Sequence, residues 1–515
     1  MAGKSKSAYE KKRDKWYLDR LLDGPTDDFI AYYNDNHQTN KKHKTIFLFP
    51  GGMASRMIRA REKYPQDPPL SYDTIWLNCS VLDGVAIDLQ MQNHGHEDYE
   101  KKFVVPNGCI DFIDLEPYIN LRPYRGFIRW CQTNQLDLFV FGWDWRRESQ
   151  ATADFFLKKF LPKFEKRVNN ECPTAPLNNF WIIGHSFGGM VIKHIMNDYG
   201  DSYVQKMKGA ITVASPFYGY GGQLPRYFKG FSVVNATVEP HGATKITKAI
   251  SSMPGGYELL FLDGATYDAN KCEFAKDPDP DFRLTSYPSM DENKIDRADP
   301  YNPIDDPAHK KVRYISSCGF DRKMLDLGRL ALKDLTSPLN DQVADKFWNI
   351  RGFGKRTVVG QTWKRVPRGF NPDRDDNPID DKYGTGDAVL PAWSTRLLGN
   401  PNVVNIEVET EHTNLMNERK VQVAIADRLE PASSPRWRRM RRTAKTTKLK
   451  AASRTRLNEF LRGLQAITTK KGLRAKDRKV AIRKYLGKYS PSQLEGFLTR
   501  AYLDALKSPT QISDS

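Results

Sequence analysis

The chain has 515 residues and a net charge of +18, from 80 Lys and Arg against 62 Asp and Glu, which suits a large α/β domain carrying insertions. No apolar run approaches the roughly 18 to 20 residues that cross a bilayer, and Met1 to Arg20 lacks the apolar core of a secretory signal, so a soluble, cytoplasmic protein is expected. The six cysteines (Cys79, Cys109, Cys131, Cys172, Cys272, Cys318) are scattered without a C-x-x-C pair, which argues against a zinc site or a disulfide scaffold.

Residues 1–40 predict an N-terminal helical extension, one or two polar helices with a stripe of Trp16, Leu18, Leu21 and Leu22, then Phe29, Ile30 and Tyr33. The α/β domain is expected over 41–430. Lys44 to Phe49 reads as a short strand ending in Pro50-Gly51-Gly52, and charged, proline-rich residues 53–72 as a loop or lid. Val85 to Met91 and Phe103 to Leu115 alternate like antiparallel strands. Leu136 to Phe141 reads as a buried strand. Thr152 to Val168 has the spacing of a helix, broken or shifted at Pro162. Asn179 to Ile183 and Ala210 to Ala214 supply further strands, with a helix over Met190 to Tyr199 between them. Residues 216–310 and 320–382 read as insertions, separated by a strand at Lys311 to Ser317. With 53–118, they make three cap or lid insertions. Val403 to Val408 is the last predicted strand and Thr413 to Arg428 the closing helix. Strands alternating with helices predict a mostly parallel sheet covered on both faces.

The tail differs in composition. Pro431 to Ser515 holds 22 Lys and Arg against 5 Asp and Glu, +17 of the chain's +18. A basic linker is expected over 431–452 and a small basic helical domain over 453–510, in which Ser490-Pro491 is a good helix start. A near-neutral body with a strongly basic tail favours an anionic partner, an anionic membrane surface or, as the weaker candidate, nucleic acid.

The chemistry centres on Gly184-His185-Ser186-Phe187-Gly188, a G-x-S-x-G sequence between a strand and a helix. Such a turn forces strained backbone angles at the serine and exposes its hydroxyl at the end of the sheet. Serine needs a base, and the base needs a carboxylate. Downstream histidines are His194, His241, His309 and His412. Only His412 follows the last strand and precedes a helix, where a triad base belongs. For the acid, Asp387 in Gly384-Thr385-Gly386-Asp387-Ala388 competes with Asp321, and with Glu411 beside the base. The oxyanion needs backbone donors. These are expected at Phe187 and at Gly52 or Met53, with Met53 and Trp76 as substrate contacts. No cofactor or metal is implied. The clusters Asp277, Asp279, Asp281 and Asp373, Asp375, Asp376 lack the spacing of a calcium loop.

In order along the chain, Phe49-Pro50-Gly51-Gly52-Met53-Ala54-Ser55, Tyr72 to Leu77, Val104 to Pro117, Asp144-Trp145-Arg146, the Ser186 motif, Ser252 to Leu260, Gly384 to Val389 and Glu411 to Met416 resemble motifs of the lecithin:cholesterol acyltransferase family. The resemblance implies an α/β-hydrolase core with a cap, and a lipid acyl-enzyme at Ser186. It favours Asp387 over Asp321 as the acid, and gives Asp144 and Arg146 a structural role. There are departures. Residues 56–72 contain no cysteine for the lid disulfide of secreted members, and nothing matches the basic tail. The expected function is therefore a serine lipid acyl hydrolase or acyltransferase on glycerophospholipids, peripheral at the inner membrane, with a regulatory protein partner as a further expectation for a cytoplasmic lipase. The alternatives are an esterase or thioesterase on soluble substrates, or a nucleic-acid-binding or partner-binding protein with a vestigial hydrolase body.

Overall fold

The computed structural model describes residues 6–39, 44–63, 65, 68–69, 71–76, 89–109, 113–115, 119–121, 124–229, 242–262, 266, 269–270, 321–363, 379–400 and 403–445, with ten further positions between 459 and 488. The chain enters through α1 (Ala8–Leu22) and α2 (Gly24–Thr39), then β1 (Thr45–Phe49). β2 (Ser55–Ala60), β3 (Tyr72–Trp76) and β4 (Val104–Cys109) form a separate antiparallel sheet in the order β3-β2-β4. α3 (Arg125–Thr133), β5 (Asp137–Val140), α4 (Ser149–Phe155), α5 (Leu161–Glu171), β6 (Phe180–His185), α6 (Phe187–Asn197) and β7 (Gly209–Val213) follow. Next come α7 (Gln223–Lys229), α8 (Pro254–Tyr257), α9 (Arg322–Thr336), β8 (Phe347–Phe353), and the hairpin β9 (Lys355–Trp363) and β10 (Ile379–Gly386). β11 (Val404–Glu409), α10 (Arg419–Leu429) and α11 (Pro435–Thr443) complete the labelled elements.

The central sheet runs β11-β8-β7-β6-β1-β5, with every neighbouring pair parallel. Alternation along β1 divides the core. Phe47 and Phe49 enter the layer beneath α1, α2, α5 and α6, with Trp16, Phe29, Phe164 and Ile192. Ile46 and Leu48 enter the opposite layer, with Phe127 and Trp130 of α3, Ile425 of α10 and Met440 of α11. Both faces are thus covered by helices, as a parallel sheet requires. The architecture is α/β, with a six-stranded parallel core flanked by helices.

Between α4 and α5, Phe156–Phe160 forms a π-helical turn, and Pro162 sits in the first turn of α5. Proline has no N–H to return to the preceding turn, so the register changes there. The change lets Phe160 and Phe164 reach both Phe47 and Phe139, and Phe156 reach Phe47, with ring centroids 5.1 to 6.1 Å apart.

Three expectations need correction. Residues 53–72 are not only a loop: β2 lies there, burying Met57, Ile58 and Ala60 while Arg56 and Arg59 disguise the run. Residues 320–382 are not simply an insertion, because β8 is a core strand between β7 and β11. Its apolar pattern is interrupted by Asn349 and Arg351. Both are buried, and both have partners. Asn349 Nδ2 donates to the Thr395 carbonyl at 2.7 Å, and Arg351 Nη2 to the Ala392 carbonyl at 2.6 Å. The strand expected at Lys311–Ser317 lies outside the described residues, as do both acidic clusters. Residues 431–452 are not merely a linker, since α11 folds within them. Ser434 caps it, Pro435 opens it, and Met440 is fully buried. The Trp130 indole N–H donates to the Met440 carbonyl at 3.0 Å. Most of 453–510 lies outside the described residues.

Candidate active site

Ser186 stands between the last residue of β6 and the first of α6, at φ 55° and ψ −129°. Such angles are costly for a residue with a side chain, and here the packing imposes them. The Ser186 amide donates to the Val213 carbonyl at 2.9 Å. A Cβ at Gly188 would run into the Phe49 carbonyl, and one at Gly184 would stand 2.7 Å from the Gly188 oxygen. Only glycine allows the strand, turn and helix to approach this closely. α6 therefore starts directly behind the hydroxyl and presents its positive end to it.

His412 follows β11 and opens the 3₁₀ turn His412–Asn417. Its Nδ1 lies 2.8 Å from Asp387 Oδ2. Both residues are buried, Asp387 completely. Asp387 follows β10, and its other oxygen accepts the amides of Val389 (3.1 Å) and Leu390 (2.7 Å). Ala388 closes this turn at φ 75°. The Asp387 carbonyl also accepts the His412 amide at 2.8 Å. Asp387 and His412 are thus joined through side chain and backbone alike. Asp321 stands elsewhere, capping α9 and pairing with His94. His194 is buried on α6, and His241 and His309 lie outside the described residues.

The loop after β1 folds over the elbow. A Cβ at Gly51 would be 3.0 Å from Ser186 Cβ, and one at Gly52 would be 3.2 Å from the Phe187 ring. Met53 follows at φ 63°. The Trp143 indole N–H donates to the Pro50 carbonyl at 2.9 Å, and that of Trp76 to the Met53 carbonyl at 2.7 Å. Trp76 is buried against Trp145 and does not line the pocket. In this structure it supports Met53 through that hydrogen bond.

Ser186, Phe187, Gly52, Met53 and His412 line one pocket of about 60 Å³. Its other walls include Trp145, Tyr220, Gln223, Arg226, Ile250, Leu259 and Leu390, so it is mostly apolar with a few convergent polar groups. Trp145 is held by its neighbours. Arg146, fully buried, bonds Asp144 and Asp98 at 2.8 Å each. Two features behind the pocket escaped the sequence reading. Tyr124 carried no local signal. His185 sat inside the motif without an assigned role. Its pKa is pushed down to about 3, first by burial and then by the neighbouring His412. Among the described residues no group of three or more His, Cys, Asp or Glu is arranged to hold a metal ion, and no helix is long and apolar enough to cross a membrane.

No family model matches the chain. It is similar to lecithin-cholesterol acyltransferase-like 4 of Arabidopsis thaliana, 28% identical over 142 residues. The match takes in 26% of this chain and 24% of that protein, about a quarter of the relative's length. Among solved structures, a chain in the crystal structure of the Tle4-Tli4 complex aligns with a TM-score of 0.49 at 12% identity, covering 77% of this chain and 100% of that one.

Proposed function

We propose that the chain is a serine-dependent lipid acyl hydrolase or acyltransferase that acts on glycerophospholipid esters through an acyl-enzyme. The observation that carries the reading is the buried 2.8 Å contact of His412 with Asp387, opening on the same apolar pocket as Ser186. His412 takes the Ser186 proton as the hydroxyl oxygen attacks the ester carbonyl, and Asp387 stabilises the resulting imidazolium. The Phe187 and Gly52 amides hold the tetrahedral oxyanion. Collapse expels the alcohol, which takes the proton from His412. Water or an acceptor alcohol, deprotonated by His412, then releases the acyl group. The partial similarity to a lecithin-cholesterol acyltransferase-like protein supports a lipid substrate. The basic tail is proposed to hold the enzyme at an anionic membrane surface from the cytoplasmic side.

A soluble-ester esterase is the second reading. A pocket of about 60 Å³ has room for only a few waters, so a long acyl chain requires its walls to part.

Mass spectrometry of mixed phospholipid liposomes, incubated with wild type and with Ser186→Ala, tests the proposal. Free fatty acid and lysolipid from wild type alone indicate a hydrolase, and new acylated products a transferase. Unchanged lipids, with hydrolysis of short soluble esters, favour the second reading.

A further inference from the structure

A hydrogen-bonded path runs around Ser186 through groups that take no part in the acyl transfer itself. The Gly51 amide donates to the Tyr124 hydroxyl oxygen at 2.8 Å. That oxygen lies 3.0 Å from His185 Nδ1, and His185 Nε2 lies 3.2 Å from the His412 carbonyl oxygen. Tyr124 and His185 are buried. Counting protons fixes the direction of every bond. The amide can only donate and the carbonyl can only accept. The Tyr124 oxygen therefore accepts from Gly51 and turns its one proton toward His185 Nδ1. That nitrogen is an acceptor, so the imidazole proton sits on Nε2 and is given to the His412 carbonyl. The neutral ring fits in one tautomer only, and burial keeps it neutral.

We propose that His185 and Tyr124 are positioning residues that lock the oxyanion loop and the His412 backbone to the turn carrying Ser186. The proposal rests on the acyl-transfer reading above. Holding the Gly51 amide orients the next peptide, whose N–H is that of Gly52. Holding the His412 carbonyl, together with the Asp387 bonds, fixes where the base stands. The two imidazoles also stack, with centroids 5.0 Å apart and planes 30° from parallel, which restrains the tilt of the base. Neither His185 nor Tyr124 lines the pocket, so the path acts on the alignment of reacting groups and not on substrate affinity.

The test uses the full chain with Tyr124→Phe, His185→Phe and the double variant. A displacement of about 1 Å costs a reaction about a hundredfold, so losing one restraint among several is expected to lower kcat about tenfold or more. The readouts are p-nitrophenyl butyrate hydrolysis and the rate at which a fluorophosphonate labels the serine. KM stays within about twofold. The double variant is no slower than the slower single one, because both break the same path. In wild type, ¹⁵N NMR of labelled histidine finds the His185 proton on Nε2; in Tyr124→Phe the proton stays on Nε2, held by the His412 carbonyl, and the Nδ1 signal shifts to that of an acceptor that has lost its hydrogen bond. Additive losses, a KM change matching the kcat change, or an Nδ1–H ring in wild type would overturn the proposal. Tyr124→Phe removes a single oxygen and keeps the test open if His185→Phe does not fold. If wild type neither cleaves the ester nor takes the probe, the acyl-transfer reading fails, and the tautomer alone decides the positioning path.

Discussion

Replacing Asp387 by Asn isolates the acid at nearly constant volume. One Asp387 oxygen accepts two backbone amides, and the other faces His412 Nδ1. Asparagine has one acceptor oxygen and one donor NH₂. If the oxygen stays on the two amides, the NH₂ faces His412 and demands a lone pair on Nδ1. The imidazole proton then moves to Nε2, where it blocks the nitrogen that should take the Ser186 proton. The flipped arrangement sets the NH₂ against two N–H donors in a fully buried site, which costs more. The first arrangement therefore wins, and it holds the base in the wrong tautomer. A serine enzyme with this defect loses about ten-thousandfold in kcat, on the order of 5 kcal/mol of transition-state stabilisation. The assay is kcat on a p-nitrophenyl ester beside a melting curve, with Asp321→Asn alongside. An Asp387→Asn enzyme within tenfold of wild type, or an equal loss in Asp321→Asn, would refute the assignment.

Glu258 gives a pH prediction. It is fully buried and accepts from the Ser149 amide and hydroxyl at the start of α4. Burial pushes its pKa up from 4.5 to about 8, against the opposing pull of the Ser149 hydrogen bond. A raised pKa means that the folded state prefers the protonated acid. Its contribution is complete below pH 4.5 and is lost as the pH rises through about 8. Glu258→Gln, which keeps the neutral shape, should therefore gain on wild type between pH 5 and 8, by on the order of a few kcal/mol in denaturant unfolding. A constant difference between the two proteins over that range would refute it. At the basic surface, Arg438 and Arg442 of α11 are exposed. Changing both to Glu should weaken sedimentation with anionic vesicles by about 1 kcal/mol or more per charge at low salt, with the difference fading at high salt. Equal binding of both proteins at low salt would remove α11 from the anionic contact.

The turn around Ser186 was legible because its chemistry is local: glycines at fixed spacing, a strand before and a helix after. β1, β6 and β7 were legible because both sheet faces bury their side chains, leaving nearly unbroken apolar runs. β8 was not, since Asn349 and Arg351 replace apolar contact with hydrogen bonds to residues 41 or more positions away. Tyr124 was hidden for the same reason. Its role depends on Gly51, 73 residues earlier, and His185, 61 residues later, and no local pattern marks such a meeting. The arginines of α11 hid a helix because composition reads charge, whereas the fold depends on Met440 alone facing inward.

The seat of α11 also carries the covering of the sheet's second face past Glu430. Arg436 donates to the Asn134 and Gln135 carbonyls just past the end of α3, and Lys445 gives its amide to the Gln422 side chain. A protease cutting after Glu430 would strip a wall from Trp130 and Asn134 rather than release a loose tail. The smallest fragment that keeps the sheet's second face dry therefore runs past Ala444, itself only 5% exposed. Tyr124 precedes the other end of α3, toward the pocket. Surface contact made by the arginines is therefore made from the flank, by a piece that is structurally inseparable from the α/β body.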